Sequence, residues 1–329
     1  MNRRCFIKAG GALVALGSAA GACAREKTRQ VGARSRLSNS RVSLAQHPQL
    51  QAGKSSVPVL AQTLRRALAG AAGTAGAVEA LKGWFRPDDV IGVKLNCLAG
   101  QPLSPRPALC DELVRLLGQC GVGPERIIFF ERSERDLRHG GFTPRQRGGP
   151  LFLGHDSPGA GYEREVEISG QVGSLLSRIV TRRITALISL GVVKDHNLAG
   201  VGGAMKNFFG LIHNPNKYHD NNCDPFVADV WSFPVIRRKF RLAILDGVVA
   251  QCHGGPGYLP AFTWNLGGVL AATDPVALDR VAWDIIEKER RKRGLPTLAG
   301  EKRAPRWLHT AAGRGLGRDD PAAINLVKV

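Results

Sequence analysis

Short apolar runs alternate along the chain with apolar stripes at helical spacing, the pattern of an α/β fold. Asp89-Val90-Ile91-Gly92-Val93-Lys94-Leu95-Asn96 reads as a buried strand that ends in polar groups. Pro107 to Cys120 puts Leu109, Leu113, Leu116 and Leu117 on one side of an amphipathic helix, and Arg126-Ile127-Ile128-Phe129-Phe130 is the next strand. A strand, a helix and a strand at this spacing predict the right-handed parallel crossover. Ile184 to Leu190, Phe240 to Leu245 and Gly268 to Ala272 predict further central strands. Leu60 to Ala69 and Ala77 to Phe85 predict short helices before them. Asp274-Pro275 opens a helix that runs to about Arg293, with the aspartate as cap and the proline in the first turn. Leu308 to Ala312 predicts a last short helix and Ile324 to Val329 a closing strand. Arg138 to Glu165 is irregular and rich in glycine and arginine, so it reads as a surface excursion. The whole predicts one large α/β domain over 56–329, with a mainly parallel sheet flanked by helices.

The amino terminus has a different character. Asn2-Arg3-Arg4-Cys5-Phe6-Ile7-Lys8 is followed by a Gly/Ala/Leu/Val run from Ala9 to Ala22. Paired arginines before a short, weakly apolar core form the twin-arginine export pattern. The run is too short and too little apolar to span a bilayer. The expectation is a signal peptide over 1–24, with cleavage after Ala22 or Ala24, and a periplasmic protein. The translocation partner is then the twin-arginine machinery. Lipidation at Cys23 is the weaker option, because Ala20 stands where such signals carry a leucine. Residues 25–55 are basic, Ser/Gln-rich and aperiodic, which reads as a linker with room for one early strand. This route carries proteins already folded, often around a cofactor, but no cofactor is specified by the residues.

A formal charge of +19 invites a nucleic-acid reading, yet the basic residues are scattered. Aromatics are only 6% of the chain, and no basic run is interleaved with them, so the base-stacking pattern of a nucleic-acid binder is missing. The excess reads instead as a solvated surface that attracts small anions and could touch the envelope peripherally. Cys97, Cys110, Cys120, Cys223 and Cys252 form no CxxC pair, which leaves neither a ferredoxin-like cluster nor a zinc ribbon. They read as buried free thiols, with Cys223 as the one exception.

The candidate chemistry gathers between Val192 and Asp224, where polar residues are interleaved with Phe208, Phe209, Leu211 and Ile212. Polar groups among apolar ones tend to be held in a site, since burying them unpaired is costly. Lys194, Asp195 and His196 follow the strand ending at Leu190. Lys94 and Asn96 end theirs in the same way, and Asp246 ends another. Ligands of open α/β sheets sit at such carboxyl ends. Glu131 and Arg132 would join the same rim. Gly200, Gly202 and Gly203 form a turn before Lys206 and Asn207, read either as a ligand or cofactor cradle or as a close helix–strand contact. His213, His219 and Cys223, with His196 or His253, would supply nitrogen and sulfur to a metal, although their spacing matches no standard ligand pattern. Asp279 either pairs locally or faces the core.

GVKLNCLAG, PERIIFFERSERDLRHGGF, LISLGVVKDHNLAGVGGAMKNFFGLIHNP, YHDNNCDP, RLAILDG and ATDPVALDRVAWDII resemble the domain-of-unknown-function family 362, in its exported twin-arginine branch. The resemblance runs from about Asp89 to Gly317. Some relatives carry ferredoxin-type cysteine motifs, which this chain lacks, so the resemblance implies a fold and a residue map rather than a reaction. The expectation is a periplasmic enzyme acting on a small anionic molecule. Lys206 and Lys94 would hold the anion. His196, oriented by Asp195, would be general acid or base, and Lys194 an electrostatic or nucleophilic assistant. Asn96, Asn207, His213, His219 and Asp246 would complete the substrate pocket. The alternative is a non-catalytic exported protein that binds a metal or cofactor.

Overall fold

The apolar runs become strands of one twisted sheet in the computed structural model, which describes residues 39–329 except 52, 54 and 55. The expected signal peptide, and the linker up to residue 38, lie outside the described residues. The strands are β1 (Ser40–Gln46), β2 (Ile91–Leu95), β3 (Ile127–Glu131), β4 (Leu151–Gly154), β5 (Glu167–Ser169), β6 (Val172–Ser174), β7 (Ala186–His196), β8 (Gly200–Val201), β9 (Phe240–Gln251), β10 (Thr263–Trp264), β11 (Gly268–Ala272) and β12 (Ile324–Lys328). The helices are α1 (Val57–Ala72), α2 (Ala77–Trp84), α3 (Pro107–Gln119), α4 (Glu134–His139), α5 (Phe226–Ser232), α6 (Pro234–Lys239), α7 (Pro275–Lys292) and α8 (Trp307–Gly313).

The sheet order is β12-β1-β11-β9-β7-β2-β3-β4, with β10 paired to β9 and β8 to β7. Neighbours from β9 through β7, β2 and β3 to β4 are parallel, as are β12 and β1. Only β11 runs antiparallel to its flanking strands β1 and β9 in this path. The fold is therefore the mainly parallel α/β sheet that the crossover pattern predicts. Strands buried on both faces need continuous apolar sequence, and Ala186 to Val193 supplies it.

Two cores lie on the two faces. Ile91, Val93, Leu95, Ile188 and Ile244 face α1 to α4 through Leu64, Leu68, Leu81, Leu113 and Leu137. Phe130, Leu187, Ala243, Leu245 and Leu270 face α5 to α8 through Trp231, Ile236, Val281 and Trp307. α7 begins as expected, with Asp274 Oδ1 accepting from the Ala277 N–H at 2.9 Å. The five cysteines are buried and free. No helix among the described residues is long and apolar enough to cross a membrane.

Two expectations need correction. The excursion over 138–165 contains β4, because Leu151-Phe152-Leu153 pairs in parallel with β3 and closes one sheet edge. β7 and β9 also outrun the ends expected at Leu190 and Leu245. Each supplies hydrogen-bond partners to the other through Val192↔Asp246 and Lys194↔Gln251, so backbone pairing carries both strands into polar sequence. The early strand for which 25–55 left room is β1, which lies between β12 and β11.

Candidate active site

A pocket of about 480 Å³ opens where β2, β3 and β7 end. The turn Asn197–Ala199 and the short 3-10 helix Lys206–Leu211 form two of its walls. Both are fixed from behind by buried indoles. Trp307 Nε1 donates to the Ala199 carbonyl at 2.9 Å and Trp231 Nε1 to the Met205 carbonyl at 2.8 Å. The backbone that presents Lys206 is thus held before any ligand arrives.

Three lysines meet in this pocket, and they differ in how fully their ammonium groups are satisfied. Lys94 is 1% exposed and pairs with Glu131 at 3.0 Å. It also donates to the Leu95 carbonyl at 2.5 Å and to Asn207 Oδ1 at 3.3 Å. Asn207 is equally committed, since its amide donates to the Lys94 carbonyl and to Ser189. The approach is close: a Cβ at Gly210 would lie 2.5 Å from Lys94 Cε, so only glycine lets the lysine pass. Lys194, also 1% exposed, donates to Asn96 Oδ1 at 3.1 Å and to the Pro256 carbonyl at 3.2 Å. Lys206, 8% exposed, reaches His219 Nε2 at 3.0 Å and lies 3.7 Å from the centre of the Phe209 ring.

Among the described residues no carboxylate lies within ion-pair distance of Lys194 or Lys206. Burial disfavours the charged form and brings each of these ammonium groups down to about 8. For Lys194 the field of Glu131 works in the opposite direction, and for Lys206 the like charge of Lys194 adds to the fall. Both amines therefore titrate close to neutral pH.

The two histidines are held as different neutral tautomers. His196 Nδ1 accepts from the backbone N–H groups of Leu198 and Ala199, each at 3.2 Å, so the ring hydrogen sits on Nε2. Burial, then Lys206, hold its pKa well below the ordinary histidine value. His219 is the reverse. Its Nδ1–H faces the carbonyls of Pro215 and Asn216, at 3.1 and 3.2 Å, which leaves Nε2 as an acceptor toward Lys206. The rings stack with centroids 5.7 Å apart. One imidazole offers a hydrogen and the other a lone pair, both in the lining of the same pocket.

The structure thus brings together Lys94, Asn96, Lys194, His196, Gly202, Lys206, Asn207 and His219 of the expected site. The other expected residues lie elsewhere. Asp195 does not orient His196, because adjacent strand residues point to opposite sides. Its carboxylate accepts from the Gly255 N–H at 2.7 Å and pairs with Arg303 at 2.8 Å, anchoring the turn that presents Pro256. Asp246 sits within β9 rather than at its end. It shares parity with Leu242 and Ile244, so it faces the α1–α4 side and pairs with Arg106 at 2.6 Å. His213 is exposed, with its ring against Tyr162.

Within the glycine turn Gly202 lines the pocket, while Gly200 and Gly203 serve close packing. The Ala204 and Met205 N–H groups donate to Asp279 at 2.6 and 2.8 Å, so the anion they bind belongs to α7. A Cβ at Gly203 would lie 2.1 Å from that carboxylate, and one at Gly200 would lie 2.3 Å from the Arg303 carbonyl. His253 turns toward Arg290 and Arg303. Among the described residues no group of three or more His, Cys, Asp or Glu side chains is gathered for a metal.

Glu131 and Arg132, placed on the rim by the strand-end rule, do line the pocket, together with Asp136 and Pro256. Arg303 was not anticipated, since nothing local to it points across the fold to Asp195.

Residues 91–284 match the family model described as Domain of unknown function (DUF362). No curated protein matches the chain. Among solved structures, the crystal structure of a protein from Thermotoga maritima is similar at 10% identity, with a TM-score of 0.35. The match covers 62% of this chain and 52% of that one, so the chain spans about half the length of that protein.

Proposed function

We propose that this chain, which belongs to the domain-of-unknown-function family DUF362, is an exported enzyme that acts on a small anionic molecule. The observation that carries the reading is the pair Lys194 and Lys206, buried together without a carboxylate partner. A buried cation without a counter-charge is expensive, and an incoming carboxylate or phosphate relieves that cost while making charge-assisted hydrogen bonds. Lys94 does not compete for the ligand, because Glu131 already neutralises it. The pocket volume falls in the range of small-molecule sites.

The chemistry follows from the two tautomers. His196 Nε2–H is a neutral donor suited to an oxygen that gains negative charge, while the two amines accept protons or attack carbon near neutral pH. His196 therefore acts as an electrophilic donor and not as an aspartate-assisted base. Asp195 is a positioning residue, acting through Gly255 and Pro256. Export is supported by the Arg3-Arg4 motif and the short run from Ala9 to Ala22. It would place this chemistry in the periplasm.

Calorimetric titration of the full chain with sulfate at pH 7 tests the reading. One anion per chain is expected, with thermal stabilisation that saturates at the same concentration; about 2.7 kcal/mol is the gain at a hundredfold excess over Kd. Neither heat nor stabilisation would contradict it.

A further inference from the structure

We infer that Lys206 forms an imine with a carbonyl carbon of the substrate, whose anionic group is held by Lys194. The class of substrate is thereby narrowed to small anions that carry an aldehyde or ketone, such as oxo acids and phosphorylated carbonyl compounds. This inference rests on the anion-site reading given above.

Three observations single out Lys206. The first is hydrogen bonding. Lys94 has three acceptors, one of them charged, and Lys194 has two, whereas Lys206 has one, a histidine nitrogen. An ammonium has three hydrogens to donate and a free amine two, so Lys206, with one acceptor, is the lysine whose surroundings least require a charge. Phe209 covers another side of the amine with its ring face, which favours the charged form but offers no lone pair of nitrogen or oxygen.

The second observation is His219. Its Nδ1–H is fixed on two carbonyls, so Nε2 faces Lys206 as a proton acceptor. The third is residue choice. Arginine clearly outnumbers lysine among the 46 basic residues of this chain, yet Lys94, Lys194 and Lys206 all line the pocket. Arginine would hold an anion at least as well, but it does not give up its proton. Lysine at this position is explained by a need for a neutral amine, which burial favours by disfavouring the charged form.

The step balances without any co-reactant. The amine lone pair attacks the carbonyl carbon, a C–N bond forms, and the C=O π pair moves to oxygen, facing His196 Nε2–H. The amine loses a proton to His219 Nε2. His219 passes that proton to the oxyanion, which gives the carbinolamine hydroxyl. The hydroxyl then leaves as water with the remaining N–H proton, relayed by the same His219 Nε2, while the nitrogen lone pair forms the C=N bond. One amine and one carbonyl give one imine and one water.

The test is reductive trapping of the full chain with pyridoxal 5′-phosphate, an aldehyde that carries a phosphate, followed by borohydride and peptide mass mapping. One adduct per chain on Lys206 is expected, at least tenfold suppressed by saturating sulfate and at least tenfold weaker with pyridoxal, which lacks the phosphate. Lys206→Arg should abolish it. Because the adduct is mapped in the unaltered chain, the test does not depend on that variant folding. Labelling on Lys194, or spread over exposed lysines such as Lys82 and Lys292, would overturn the inference. Sulfate binding without a trapped adduct would overturn the imine and leave the anion site standing. Absence of both would overturn both.

Discussion

Replacing Lys194 with methionine is expected to weaken sulfate binding about 10- to 100-fold, the equivalent of about 1.5–3 kcal/mol for one charge-assisted hydrogen bond. Methionine reproduces the apolar stem of lysine out to Cε and removes the ammonium group. The buried stem therefore stays packed while the anion loses a donor. Little stability should be lost, because the variant no longer buries an ammonium that is 1% exposed without a carboxylate partner. The exposed Lys82 supplies the control: Lys82→Met should bind sulfate as the unaltered chain does. Calorimetry on both variants, with urea unfolding beside it, separates a lost ligand contact from a damaged fold. Equal affinity in Lys194→Met and the unaltered chain would remove Lys194 from the site.

The largest effect on stability is expected at Asp279. Its carboxylate is fully buried and satisfies the N–H groups of Ala204 and Met205, which lead directly into Lys206. Asp279→Ala would strand two buried backbone donors, at about 1–3 kcal/mol each. A loss of about 2–5 kcal/mol is expected in urea unfolding at pH 5. The pH dependence has a definite sign. Burial raises Asp279 from 3.8 to about 7, overcoming the two backbone bonds that favour its ionised form. Between these values the folded chain holds a proton that the unfolded chain has released, so this group's contribution to stability falls as pH rises from about 4 to 7. The gap between Asp279→Ala and the unaltered chain should therefore narrow over that range. A variant as stable as the unaltered chain at pH 5 would show that the glycine turn does not depend on α7.

Much of this architecture was legible because parallel sheets demand long apolar runs. The strand Gly268 to Ala272 has the bounds its composition predicts, and the predicted helix Pro107 to Cys120 is α3 with its leucines buried. What stayed hidden depends on partners rather than composition. Nothing in Val192 to His196 says that β9 and β8 will pair with it, so the polar end of β7 read as lying beyond the strand. Leu151-Phe152-Leu153 becomes a strand only because β3 has a free edge.

The site followed the same division. Strand ends located Lys94, Asn96 and Lys194, because position in a parallel sheet determines which side chains reach the crevice. Asp246 failed under the same rule, since the rule depends on where a strand stops and on which face a residue lies. The glycines at 200–203 marked a tight backbone approach correctly, but the partner they admit is Asp279, more than seventy residues away. Histidine tautomers are decided by carbonyls and amides of the folded backbone, so the opposed roles of His196 and His219 were outside the reach of the residue pattern.

The central claim is that two buried amines, titrating near neutral pH and lacking a carboxylate partner, form the binding site for the substrate anion. The most direct measurement is the affinity of the full chain for sulfate from pH 6 to pH 10, a range over which the charge of sulfate is constant. Both lysines titrate at about 8 in the free pocket, so binding should be strong and level below that value and weaken progressively above it. An affinity unchanged up to pH 10, or the absence of binding at pH 6, would contradict the account.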